Sequence, residues 1–182
     1  MARDTAHVQG LDQLLDRLKA LPPEVVSKRG GPVRTAVRRA AMLIVREAQQ
    51  NIRGFVNEPN SGGWPDESTG LMEKSVKAMR GRPNRRGLKG ETVIVTIPRR
   101  ARYPITKRTP SGINVAQIGR MHEYGVETTI KKGPLKGRTL KLKPQRWMGR
   151  AFHAKKAQAV ETMRDDLLKG IERIERKLGS GR

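Results

Sequence analysis

Residues 32–53, "PVRTAVRRAAMLIVREAQQNIR", constrain the fold more than any other stretch of the chain. Val33, Val37, Ala40, Ala41, Ile44, Ala48 and Ile52 recur at steps that keep to one face of a helix, while Arg34, Arg38, Arg39, Arg46 and Arg53 fall mostly off that stripe. Pro32 suits a first helical turn, where its missing N–H has no intrahelical partner to lose. A long amphipathic helix follows, and its apolar face needs a cover. A second such segment closes the chain. "RWMGRAFHAKKAQAVETMRDDLLKGIERIERKL" repeats Phe152, Ala159, Val160, Met163, Leu167, Ile171, Ile174 and Leu178 at helical steps, with Gly170 marking an expected bend.

Shorter elements fill the remainder. "GLDQLLDRLKAL" reads as an opening helix with Leu11, Leu14, Leu15 and Leu18 on one side, ended by Pro22 and Pro23. Thr69 reads as the N-cap of a short helix, "TGLMEKSVKAM", packing Leu71, Met72, Val76 and Met79. "ETVIVTIP" is rich in β-branched residues and reads as a strand broken by Pro98. "VAQIGRMHEY" reads as a helix stopped at Gly125, and "VETTIKK" with "RTLKLK" reads as a hairpin with a basic face. The expected architecture is α+β: a small antiparallel sheet packed against two long helices, with basic loop and hairpin extensions. One domain is expected over residues 1–178, with a basic insert at about 80–112 and a flexible tail at 179–182.

Charge narrows the function. Thirty-nine Lys and Arg against 17 Asp and Glu leave +22, which repels itself and attracts polyanions. The first basic block holds Arg80, Arg82, Arg85, Arg86, Lys89, Arg99, Arg100, Arg102, Lys107 and Arg108, with Glu91 its only acid. The second holds Lys131, Lys132, Lys136, Arg138, Lys141, Lys143, Arg146 and Arg150 and has no acid. Both fall mainly on expected loops and strands, which suits contact with backbone phosphates more than a helix reading bases. Tyr103 is the one aromatic among the arginines of the first block, so duplex contact is expected over single-strand stacking. No run reaches the ~20 apolar residues of a membrane helix. "MARDTAHVQG" does not read as a signal peptide. Without cysteine there is no disulfide framework or thiolate metal site.

"MHEYGV" is where chemistry has to be tested. A zinc-protease motif needs a second histidine four residues after His122, and Val126 stands there. His7, His122 and His153 are too scattered in sequence to suggest a metal site. His122 and Glu123 are adjacent, so on a helix they point ~100° apart and do not face each other across a substrate. Asp66, Glu67, Glu73 and Glu91 form no compact acidic cluster for magnesium. Serine-nucleophile and phosphate-loop motifs are absent. The expectation is no enzyme, no cofactor and no metal.

The order of landmarks carries a resemblance. "VQGLDQLLDRLKALP", "STGLMEKSV", "MHEYGV" and "PQRWMGRAF", with an alanine-rich second helix between the first two, resemble the neck and tail-completion proteins of long-tailed bacteriophages. The resemblance rests on Gly10, Leu11, Thr69, Gly70, Glu123, Tyr124, Gly125, Trp147 and Ala151, with Arg146 standing where proline is usual. It implies a structural virion protein at the head–tail junction, assembled in the bacterial host cytoplasm. Its implied partners are copies of itself in a sixfold or twelvefold ring and other neck, tail-terminator, head-closure or tail-tube proteins. From charge and not from the resemblance, Arg82, Arg85, Arg86, Lys89, Arg99, Arg100, Arg102, Lys107, Arg108, Lys131, Lys132, Lys136 and Arg138 are the expected polyanion contacts, facing double-stranded DNA in the channel or acidic neighbouring rings. Within the neck reading Gly125 closes a helix, Tyr124 packs beneath it and Glu123 caps or bridges. The alternative is a free, non-specific duplex-binding protein.

Overall fold

The computed structural model describes residue 16 and residues 31–56, 70–81, 91–103, 113–129 and 136–179. Asp16 is helical; the rest of the expected opening helix, including Gly10 and Leu11, lies outside the described residues, as does Thr69. The elements run α1 (Pro32–Val56), α2 (Leu71–Ser75), β1 (Lys77–Arg80), β2 (Val93–Thr96), α3 (Val115–Tyr124), β3 (Val126–Thr129), β4 (Thr139–Leu142) and α4 (Trp147–Gly179). Two long helices with small sheets make this an α+β protein. β1 pairs with β2, and β3 pairs antiparallel with β4 in a register that sets Val126 opposite Leu142 and Thr129 opposite Thr139. No helix among the described residues is long and apolar enough to cross a membrane.

The chain divides into two compact units, one of residues 41–79 and 94–157, the other of residues 1–40, 80–93 and 158–182. In the first, Val45, Ala48 and Ile52 of α1 share a buried cluster with Met72, Val76, Ile97, Val115, Ala116, Trp147 and Ala151. Ala78 of β1 and Val95 of β2 pack against it. Each fully buried aliphatic side chain contributes about 1.5–3 kcal/mol relative to exposure, and this cluster is the main hydrophobic asset of the described residues. In the second unit, Ala36, Leu167 and Ile171 are buried together, flanked by Val33, Met163, Leu168 and Ile174.

Three expectations need correction. The stripe of α1 is broader than expected: Ala40, Ala41, Ala48 and Ile52 are buried as expected, Ala36 and Val45 join them, and Val33, Val37 and Ile44 are partly buried. On α4, Trp147 and Ala151 set the inward direction, which leaves Phe152, one residue further round, 50% exposed and Val160 and Leu178 exposed as well. The short helix ends at Ser75, and Lys77–Arg80 is a strand in which Met79 is exposed. Its end is imposed from α1. The Gln49 amide donates to the carbonyls of Glu73 and Val76 at 3.3 and 3.4 Å, and Val76 is extended with its N–H on Glu73 O. Gly70, in the left-handed region at φ 61, starts that helix without a side-chain cap.

Gly170 does not interrupt α4. A Cβ there would collide with the Pro32 ring, so this glycine permits close approach of α4 to the start of α1.

Candidate functional site

The stretch around Glu123 forms a corner in which α3 ends, the β3–β4 hairpin leaves and returns, and α4 begins. Asn114 starts α3: its Oδ1 accepts from the N–H of Ala116 and Gln117 at 2.9 and 3.3 Å, and its Nδ2 donates to Arg99 O at 2.8 Å. At the other end Gly125 has φ 75, and a Cβ would sit 2.8 Å from Leu142 O. Conformation and crowding both require glycine here. Val126 then enters β3, and β4 brings the chain back to Pro144.

The return closes the open end of α3. Gln145 N donates to His122 O at 2.6 Å and Arg146 N to Glu123 O at 3.2 Å, so two carbonyls of the last turn find partners. Arg146 precedes the first helical residue of α4, with φ 48 and its carbonyl accepting from Arg150 N at 2.8 Å. Its side chain has no oxygen with which to cap. Glu123 supplies one from α3: its Oε2 accepts from Met148 N at 2.7 Å and its Oε1 from Gly149 N at 3.0 Å. A carboxylate there also meets the positive end of the macrodipole of the 33-residue α4. Trp147 completes the lock, its buried indole N–H donating to Gly119 O at 2.9 Å. A Cβ on Gly119 would lie 2.7 Å from Ile97 Cδ1 and 3.5 Å from the Trp147 ring. Asn51 of α1 donates to Trp147 O at 3.0 Å, which ties the same turn to the first helix.

Tyr124 does not pack beneath the corner; it is 77% exposed. It follows Glu123 on α3, and once Glu123 points at α4 and Gly119 faces Trp147, the neighbouring position points to solvent. His122 instead turns inward against Phe55, ring centroids 4.8 Å apart, with no hydrogen-bond partner for its Nδ1. Burial pushes its pKa below the ordinary 6.5, so it is neutral at pH 7. His122 therefore meets an aromatic ring while both Glu123 oxygens hold backbone N–H groups, and the two side chains do not converge on a common point. Among the described residues no three His, Cys, Asp or Glu side chains gather as a metal ion would need.

Of the expected polyanion contacts, Arg99, Arg100, Arg102, Lys136 and Arg138 are described, and all are exposed. Arg82, Arg85, Arg86, Lys89, Lys107, Arg108, Lys131 and Lys132 lie outside the described residues. The lone acid of the first block, Glu91, pairs with Arg80 at 3.0 Å. Lys141 pairs with Glu127 across the β3–β4 hairpin at 3.2 Å, an exposed pair worth at most about 1 kcal/mol. The fold sets Arg99 of the first block and Arg146 and Arg150 of the second around Glu123 and Tyr124. Arg99 borders a groove of 320 Å³ with Arg120, Glu123, Tyr124 and Trp147, and Arg146 and Arg150 border a second cavity that Glu123 and Tyr124 also line. Sequence reasoning passed over Asn114, although asparagine just before an apolar-periodic run is a cap signal. It gave no sign that Arg146 and Arg150 share a cavity with Tyr124, because nothing local says that α3 lies beside them.

No protein-family model, curated protein or solved structure matches this chain.

Proposed function

We propose that this protein is a structural subunit of a bacteriophage neck, closing into a ring that completes the tail and joins it to the DNA-filled head. The observation that carries the reading is a bracketed corner in a chain whose described basic-block cations stand exposed, with Arg99, Arg146 and Arg150 at its cavities. Glu123, Gly125 and Trp147 are committed to holding α3, the hairpin and α4 together, while Arg99, Arg100, Arg102, Lys136 and Arg138 stand exposed. A subunit charged to +22 is best accommodated where phosphate or acidic neighbours surround it. The order of sequence landmarks supplies the neck context. Heterologous contacts between copies would close the ring, with the basic loops facing DNA in the channel or neighbouring acidic rings. The role is assembly and non-specific phosphate contact, without catalysis or cofactor.

Gold-labelled antibodies against the chain should decorate the head–tail junction of intact particles, and native mass spectrometry should find closed rings as concentration rises. Particles without the chain, together with a monomer at every concentration, would remove the proposal. The same exposed arginines favour a second reading, a free duplex-binding protein. It requires a monomer that binds duplex tightly in moderate salt, with a log–log salt slope near −0.9 for each phosphate neutralised.

A further inference from the structure

Tyr124, Arg146, Arg150 and His153, with Glu123 and Gly149, line a cavity of 530 Å³ at the start of α4. The Arg146 and Arg150 side chains are exposed and have no ion-pair partner among the described residues. Tyr124 shows most of its ring to solvent, and His153 stands edge-on to the exposed Phe152, centroids 5.8 Å apart at 76°. The Glu123 carboxylate belongs to the same lining, but both its oxygens are held by the N–H groups of Met148 and Gly149. Free guanidinium groups and a free aromatic face thus meet in one concavity.

We infer that this cavity receives one nucleotide of a single strand, its base stacked on Tyr124 and its phosphates held by Arg146 and Arg150. A duplex would leave the tyrosine unused, since paired bases are already stacked and present only phosphates to a surface. An acidic peptide would likewise engage the guanidinium groups alone. Base stacking on an aromatic ring beside cations is the chemistry of single-strand binding. Tyr103, the aromatic within the first basic block, is half-buried, and burial pushes its hydroxyl pKa up. Tyr124 and Phe152 are exposed among the described residues, and of the two it is Tyr124 that the fold alone brings to one cavity with Arg146 and Arg150. The inference goes beyond the neck proposal and does not depend on ring closure.

The test is fluorescence anisotropy of the full chain with labelled oligothymidylate and with a duplex of equal length. Tyr124→Ala should weaken oligothymidylate binding about tenfold through the lost stack and leave duplex binding within about twofold. Tyr124→Phe should restore it, and Arg150→Gln should lower the single-strand salt slope by about 0.7. Tyr124 is exposed, so an unchanged thermal midpoint should verify the fold of each tyrosine variant. Equal affinity of Tyr124→Ala and parent for oligothymidylate overturns the inference, as does equal weakening on single strand and duplex. So does a parent that fails to bind oligothymidylate. Displacement of the oligonucleotide by polyglutamate that Tyr124→Ala leaves unaltered would instead assign the cavity to an acidic protein partner. Ring formation is read separately, so loss of this site and loss of the neck role give different results.

Discussion

Around Val45, Ala48 and Ile52, α1 is covered by α2, α3, Ile97 beyond β2 and the first turn of α4; around Ala36, Leu167 and Ile171 complete the buried set among the described residues. Both clusters draw on the same two helices with the same apolar period. At the richer cluster the ends of α3 and α4 also satisfy each other through Glu123, Gln145, Arg146 and Trp147. The smaller one relies on close approach at Gly170 and on an ion pair between Arg39 and Asp166 at 2.9 Å, whose arginine is exposed. The difference teaches that amphipathicity sets which face a helix offers, while the number of elements covering that face sets how much stability it returns.

The contrast can be broken first at the tryptophan. Trp147→Ala should cost about 3–5 kcal/mol by urea denaturation, against about 2 kcal/mol for Ile171→Ala in the smaller cluster. Equal costs would mean that the clusters are not unequal. Arg146→Pro comes next: proline cannot reach a φ of 48 and has no N–H for Glu123 O, so a loss of about 3 kcal/mol is expected. Arg146→Gly, free of that conformational cost, should change stability by less than about 1 kcal/mol. Glu123→Ala should cost about 1–2 kcal/mol by removing the cap from two N–H groups, with Glu123→Gln losing less. Asp166→Asn in the other unit should lose less than about 1 kcal/mol, because an exposed partner is well screened.

The smallest effect is a pH dependence. The folded pKa of His122 is depressed, so the unfolded chain takes the proton more readily and stability rises with pH. Its penalty is absent above the unfolded value of 6.5, grows as pH falls below it, and levels off below the folded pKa. His122→Gln should flatten that part of a stability–pH curve measured by thermal melts. An unchanged slope would place the source elsewhere.

Much of the scaffold was legible before any coordinates. Periodicity located α1 and α4, β-branched residues located β2, and Gly125 marked the end of α3, because each signal is local and depends on backbone preferences that neighbouring residues share. Sequence also singled out Glu123 and Gly125 as corner residues. It misread Tyr124 as packed and "VKAM" as helix. Nothing in those residues reveals that Gln49, on another helix, takes the carbonyls of Glu73 and Val76.

By itself, then, the sequence determined two long amphipathic helices, a short strand, a turn-linked hairpin and a large positive excess. Tertiary structure decided that Val45 is buried more deeply than Ile44, that Ala151 rather than Phe152 lies in the core, and that Glu123 caps a helix beginning 24 residues after it. It also decided that Arg99, Arg146 and Arg150 border cavities sharing Tyr124. The reason is geometric. A helical period fixes a face only to within about one residue, or 100°, and the choice inside that arc belongs to whichever distant side chain arrives to fill the space.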